Sequence, residues 1–215
     1  MKLKMPKAVF WDWDGTLADS YGFLNDAHNF TLTSLGFAPF KEGEYKEYFG
    51  KPREILYPAI YKDKGSEAME LFQGYVLEHS HKVQVLPDSR DVLELFYQKN
   101  IPMGIVSNKK ARFIAKELKH LGWEKYFKIV IGAGDAHSDK PSSAPLLLAL
   151  EKMSLNNDNI WYVGDTENDL ACAKDARCHP IFLTGHENSA NLVKKYNPLI
   201  EFDTYHQLRE ILVAI

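Results

Sequence analysis

The sequence predicts a doubly wound α/β fold, a parallel sheet flanked by helices, with an all-helical block inserted after the first strand. Three observations carry this. The run Ala8–Trp11 is continuously apolar, as in a strand covered on both faces. Between residues 19 and 83 only helical periodicities follow one another. From Pro87 onward helical and strand patterns alternate almost to the end, the signature of βα units.

The elements follow in order. Leu24, Ala27, Thr31 and Leu35 share one helical face, and Gly36 reads as the helix stop. Residues 52–61 form a second helix disturbed by Pro58, and residues 66–81 a third, with Met69, Phe72 and Val76 on one face. After Pro87 come a helix over 88–99, a strand then loop over 101–108, and a helix over 111–121 ended by Gly122. A strand over 127–135, a helix over 143–153 and a strand then loop over 160–169 follow. A helix over 170–176, a strand over 179–185, a short edge strand over 199–202 and a last helix complete the chain. The domain reading is a core of residues 1–19 and 87–215 and a helical unit of residues 20–86. No internal repeat interrupts it.

A chain of 215 residues with 45% hydrophobic and 26% charged residues is long enough to bury a sizeable core. A net charge of -3 and the lack of any basic run argue against a nucleic-acid surface. No segment approaches the roughly 20 apolar residues of a membrane span, and the short apolar run before Asp12 is not a signal peptide. Cys172 and Cys178 form no CxxC, so they are expected to be buried thiols of a reduced, cytoplasmic protein.

The polar residues that matter stand at the ends of apolar runs: Asp12, Ser107 and Asp165. Sites in open α/β sheets form outside the carboxyl ends of strands, so these three are expected to converge. Asp12 and Asp14 would repel unless a cation lies between them or one stays protonated. With Asp165 they make an anionic, oxygen-rich site suited to Mg²⁺. Ser107 and Asn108 add hydrogen-bond donors and Lys140 a positive charge, a set that suits a transferring phosphoryl group. Asp12 is the candidate nucleophile, forming an aspartyl phosphate. Asp14 is the candidate acid on the leaving oxygen and base on water.

"DWDGT", "VSNK", Lys140-Pro141 and "GDTEND" resemble, in order, the four motifs of the haloacid dehalogenase (HAD) superfamily. The resemblance covers essentially the whole chain. "DGTLADS" followed by a helical insert is similar to its phosphatases with a small helical cap, such as the phosphoglycolate phosphatase group. The resemblance implies a Rossmann-like core with an inserted cap domain, and a Mg²⁺-dependent phosphatase acting on a small phosphorylated metabolite. It implies that Asp12 is nucleophile and Mg²⁺ ligand, and that Asp14 is acid/base with its carbonyl on the metal. Ser107, the amide of Asn108 and Lys140 would hold phosphate. Asp165 would ligate Mg²⁺, and Asp169 would support the site. Lys51 and Arg53, with Gly50, fall where a cap presents its specificity loop, and Arg53 could grip a second anion on the substrate.

The chain departs from some relatives. β-Phosphoglucomutases usually carry a small apolar residue at Thr16 and a histidine at Leu24, which makes a phosphomutase the alternative rather than the first reading. Phosphonoacetaldehyde hydrolases and haloacid dehalogenases lack an aspartate at Asp14. A non-enzymatic phosphoacceptor domain, a further alternative, would be shorter and have no helical insert. Where such phosphatases read Ala-Gly after the fourth motif, this chain has Ala176-Arg177, and a turn of different geometry is expected there. His79 and His81 are expected to be solvated rather than a metal site. Oligomeric state is not readable.

Overall fold

The computed structural model describes residues 3–49, 51, 53–185 and 189–215, with the Glu54 side chain left out; Gly50 and Pro52, part of the loop and helix expectations above, lie outside the described residues. The chain divides into two units, residues 1–18 with 85–215, and residues 19–84.

The larger unit is built on a six-stranded parallel sheet. Its strands are β1 (Ala8–Trp11), β4 (Met103–Val106), β5 (Phe127–Ile131), β6 (Ile160–Gly164), β7 (His179–Leu183) and β8 (Ile200–Phe202). They lie in the order β5-β4-β1-β6-β7-β8. Two-residue strands β2 (Ala18–Asp19) and β3 (Gln84–Val85) form a separate ladder. The central strands β1, β4 and β6 are buried along their whole length, as continuous apolar runs require. The edge strand β8 alternates buried and exposed residues.

The flanking helices are α4 (Ser89–Gln98), α5 (Ala111–Leu121), α6 (Ala144–Lys152), α7 (Glu167–Asp175), α8 (Ser189–Tyr196) and α9 (Tyr205–Val213). Each of α4, α5, α6, α7 and α9 buries one stripe at helical spacing, such as Val92, Leu93 and Phe96 of α4 and Tyr205, Leu208 and Leu212 of α9. One core cluster packs Ala8 and Phe10 of β1 with Leu146, Ala149 and Leu150 of α6 and Cys172 and Ala173 of α7. Cys172 and Cys178 are buried free thiols. Among the described residues no helix is long and apolar enough to cross a membrane.

Topology places the site. The chain runs outward from β1 through β4 to β5, then returns to the other side of β1 through β6 to β8. The crevice where the order reverses lies at the carboxyl ends of β1, β4 and β6. The register aligns Trp11 with both Ile105 and Val163, so the chain leaves all three strands at nearly one level.

Two turns differ from expectation. The helix expected over 170–176 starts three residues earlier, because Thr166 and Asp169 form a reciprocal capping box around its first turn. After α7, Arg177 adopts the left-handed conformation (φ 58°) that a glycine takes most easily. Arg177 N–H donates to Lys174 O at 3.0 Å and Cys178 N–H to Ala173 O at 2.9 Å, the paired bonds of a Schellman turn. The geometry usual at a glycine is therefore kept and the side chain carries the strain, contrary to the different turn expected from Arg177.

The smaller unit holds α1 (Tyr21–Ser34), α2 (Arg53–Tyr61) and α3 (Gly65–His79). Pro58 lies inside α2, and the chain leaves that helix in a 3₁₀ turn over Lys62–Lys64. Leu32, Leu35, Leu56, Tyr57, Ile60, Tyr61 and Ala68 form its core. His28 sits among aromatic rings, 4.5 Å from Phe72 and 5.0 Å from Tyr45 between centroids, with Nδ1 hydrogen-bonded to the Tyr61 hydroxyl. His79, expected to be solvated, is half-buried and stacked on Tyr75 at 4.2 Å; His81 is exposed.

Candidate active site

Asp12 leaves β1 with its N–H donating to Val163 O at 2.9 Å, which anchors it between β1 and β6. The chain then curls back: Leu17 and Ala18 N–H groups donate to Trp13 O at 3.0 and 2.9 Å, and Gly15 N–H to Ala18 O at 2.9 Å. Gly15 is required here. Its φ is 81°, and a Cβ at that position would stand 2.5 Å from Asp165 Oδ2. The turn thus brings the "DGT" backbone directly against the carboxylate that follows β6.

Asp165 is buried and accepts from the Thr16 hydroxyl at 2.6 Å. The Thr16 carbonyl in turn accepts from the Tyr205 hydroxyl of α9 at 2.6 Å. Asp169 lies one turn into α7, and Gly164 makes room for it, since a Cβ there would lie 2.3 Å from the Asp169 Cβ. Asp169 Oδ2 accepts from Thr166 N–H at 2.9 Å and from its hydroxyl at 2.6 Å. Asp169 Oδ1 lies 2.6 Å from Lys140 Nζ.

Lys140 is the hub. Its buried ammonium lies 2.8 Å from Asp12 Oδ1 and donates to the Tyr162 hydroxyl at 3.0 Å. The Tyr162 hydroxyl donates onward to Val106 O at 2.7 Å. Burial would lower the Lys140 pKa, but Asp12 and Asp169 more than reverse that and hold it protonated. Asn108 fixes its backbone on both sides. Its amide donates to Lys140 O at 2.9 Å and its carbonyl accepts from Lys140 N–H at 3.0 Å. Ser107, buried at the end of β4, is tied to β5 through its N–H on Ile131 O at 3.0 Å.

Negative charge is crowded here. Asp12, Asp165 and Asp169 offer carboxylate oxygens within 4.8 Å of one another. The Lys140 ammonium touches two of these carboxylates, Asp12 and Asp169, and the third, Asp165, accepts from Thr16. Asp12 registers the crowding. Burial pushes its pKa up to about 7, Lys140 opposes this, and Asp169 and Asp165 add to it. A hard divalent cation taking carboxylate oxygens fits this set by charge and by donor type. Asp169 has both oxygens engaged by Lys140 and Thr166, so it suits orienting the others better than ligation.

The structure therefore brings Asp12, Asp14, Ser107, Asn108, Lys140, Asp165 and Asp169 to one end of the sheet, all in the larger unit. Lys51 and Arg53 belong to the smaller unit. There Lys51 is exposed, its Nζ 5.4 Å from the Tyr48 ring centroid, and Arg53 is half-buried over the Tyr57 ring at 5.9 Å.

Sequence reasoning missed Thr16, Lys109, Glu117, Tyr162 and Thr166. Glu117 left a signal. It stands four residues after Phe113 and three after Ile114, on the apolar face of α5, where a carboxylate needs a partner. Lys109 is that partner, with Nζ 2.7 Å from Glu117 Oε1 and 3.0 Å from Asp14 Oδ1.

The chain matches the model of a family described as haloacid dehalogenase-like hydrolase over residues 9–183. It is similar to a phosphoglycolate phosphatase of Photobacterium profundum, 30% identical over 218 residues covering 96% of this chain and 95% of that protein. A phosphoglycolate phosphatase of Yersinia pestis is 30% identical over 92% of this chain and 89% of its own length. Among solved structures, the fold is shared with a predicted phosphoglycolate phosphatase from Haemophilus somnus 129pt. The TM-score is 0.85 at 21% identity, over 98% of this chain and 100% of that one. A haloacid dehalogenase-like family hydrolase from Streptococcus pneumoniae gives a TM-score of 0.85 at 23% identity, over 97% of this chain and 98% of that one.

Proposed function

Because the chain belongs to the haloacid dehalogenase-like hydrolases and is a phosphoric monoester hydrolase, we propose that it releases phosphate from a small phosphorylated metabolite through an aspartyl phosphate on Asp12, with Mg²⁺ as cofactor. One observation carries the reading. The Lys140 ammonium reaches both Asp12, at 2.8 Å, and Asp169, at 2.6 Å, where three buried carboxylates meet. That arrangement screens a nucleophile from its neighbours and leaves a phosphate-attracting cation beside it.

In the first half of the reaction, an Asp12 oxygen forms a bond to phosphorus as the ester P–O bond breaks. Asp14 gives its proton to the departing oxygen. Ser107, the Asn108 amide and Lys140 hold the phosphoryl oxygens while charge builds on them. In the second half, water attacks the same phosphorus, Asp14 takes its proton, and the bond to Asp12 breaks to give inorganic phosphate. Attack requires ionised Asp12, the form that Lys140 favours. Mg²⁺, held by Asp12, Asp165 and the Asp14 carbonyl, would supply charge that lowers repulsion between the carboxylates and the phosphate. Relatives named phosphoglycolate phosphatase put 2-phosphoglycolate first among candidate substrates.

The test is phosphate release from a panel of phosphate esters with Mg²⁺ or chelator, on the wild type and Asp12→Asn. Expected are metal-dependent turnover, complete loss in the variant, and a phosphorylated Asp12 peptide after acid quench of the wild type. Turnover within about tenfold of wild type, some 1.4 kcal/mol of barrier, in a folded Asp12→Asn protein would exclude Asp12 as nucleophile.

A further inference from the structure

Glu117 has no part in the mechanism above, yet it is fully buried. A carboxylate on the core-facing side of a helix is costly unless it is paired, and an apolar side chain would fill the same space. Its partners face the site. Oε2 accepts from the Trp13 indole N–H at 2.5 Å and from Lys109 Nζ at 2.9 Å, and Oε1 lies 2.7 Å from the same Nζ. On its other side the Lys109 ammonium donates to Asp14 Oδ1 at 3.0 Å. Trp13 and Lys109 sit next to Asp14 and Asn108 in the chain, so Glu117 grips both loops that carry the chemistry. Trp13 is itself held edge-on by Trp123 at 6.3 Å.

We propose that Glu117 is a positioning residue for Asp14. Through Lys109 it fixes the Asp14 carboxyl by Oδ1 and leaves Oδ2 to exchange the proton with ester oxygen and water. A lysine ammonium on a four-carbon stem has many orientations open to it, and this site offers several anions. Two contacts from Glu117 remove that freedom and hold the ammonium on one side of Asp14. The charge of the Glu117–Lys109 pair also cancels, so Asp14 is clamped without adding a net cation to the phosphate site. The inference rests on the reading of Asp14 as acid and base.

A cycle of four proteins tests it: wild type, Glu117→Gln, Asp14→Asn and the double variant. Each is assayed on an alkyl phosphate and on p-nitrophenyl phosphate, whose leaving group needs little protonation. Glu117→Gln is expected to lower kcat on the alkyl phosphate roughly 10- to 100-fold with KM changed less than about threefold. The burst of p-nitrophenol that reports Asp12 phosphorylation should change far less. In the Asp14→Asn background the Glu117 substitution should cost nothing further. Trp13→Phe, which removes the indole donor together with part of a buried ring, should give a loss with the same substrate dependence and stands in if Glu117→Gln does not fold. A burst of p-nitrophenol slowed as much as turnover of the alkyl phosphate, the same loss in both Asp14 backgrounds, or no loss would overturn the clamp. Asp14→Asn turning over at the wild-type rate would instead overturn the role given to Asp14, and the inference with it.

Discussion

The Asn108 side chain holds Lys140 by both its backbone C=O and its N–H, across 32 residues of sequence, through two hydrogen bonds of 2.9 and 3.0 Å. The ammonium that reaches Asp12 and Asp169 is therefore aimed from the backbone as well as from its own contacts. Asn108→Ala keeps the backbone N–H of residue 108 but releases this grip. It is expected to lower kcat/KM roughly tenfold and stability by about 1–2 kcal/mol, read from steady-state kinetics and urea unfolding. An unchanged kcat/KM would mean that Lys140 finds its place without Asn108.

Asp165→Ala removes a carboxylate that Thr16 and the Gly15 turn hold in position. The Mg²⁺ concentration giving half-maximal phosphate release should rise about tenfold or more. A superimposable Mg²⁺ titration would place the metal away from Asp165.

The expectation that Arg53, a planar fork suited to a carboxylate, grips a second anion on the substrate is open to direct test. Arg53→Ala should lower kcat/KM roughly 10- to 100-fold for an ester bearing a second anion such as 2-phosphoglycolate, and barely change it for p-nitrophenyl phosphate. Equal losses on both would tie Arg53 to the folding of its own unit, where it already lies over Tyr57.

Burial in its aromatic nest lowers the His28 pKa from 6.5 to about 3. The unfolded chain then binds a proton that the folded one refuses, so stability is full above pH 6.5 and falls as the pH drops from there towards 3. The slope due to this one group is about 1.4 kcal/mol per pH unit. Hydrogen exchange of α1 and α3 amides between pH 7 and 4.5, compared in wild type and His28→Phe after correction for intrinsic rates, should show the slope in the wild type alone. The same slope in both proteins would remove His28 as its source.

Arg177 is exposed and left-handed, so glycine at that position relieves backbone strain at little packing cost. Arg177→Gly should stabilise the protein by about 0.5–1 kcal/mol, the left-handed penalty less the added freedom of the unfolded chain. Loss of stability would show that the arginine makes compensating contacts.

What was legible followed from strand chemistry. Asp12, Ser107 and Asp165 end continuous apolar runs, and a parallel sheet has to bring such ends together, so fold and site floor could be read jointly. Lys140 gained meaning only beside the other motifs, because a lone lysine carries no orientation. Lys109 and Glu117 were illegible as partners of Asp14 and Trp13, since their contacts span 95 and 104 residues and no periodicity links them. The start of α7 was misjudged because Thr166 and Asp169 serve as helix cap and site residues at once. At Arg177 a local preference lost to the bonding needs of the helix end.

The place of β1 in the sheet bears on how the enzyme is born. β1 pairs through Val9 with Met103 and Trp161, so this strand leaves the ribosome well before its neighbours and waits for them while much of the chain is made. The helices of the smaller unit are contiguous in sequence and emerge whole in the meantime. A nascent chain stopped before β6 leaves one edge of an apolar strand bare and has no Asp165 beside Asp12. The catalytic floor is thus complete only once Asp165 and Asp169 have been made, and products truncated before them would be inert and prone to stick rather than half-active.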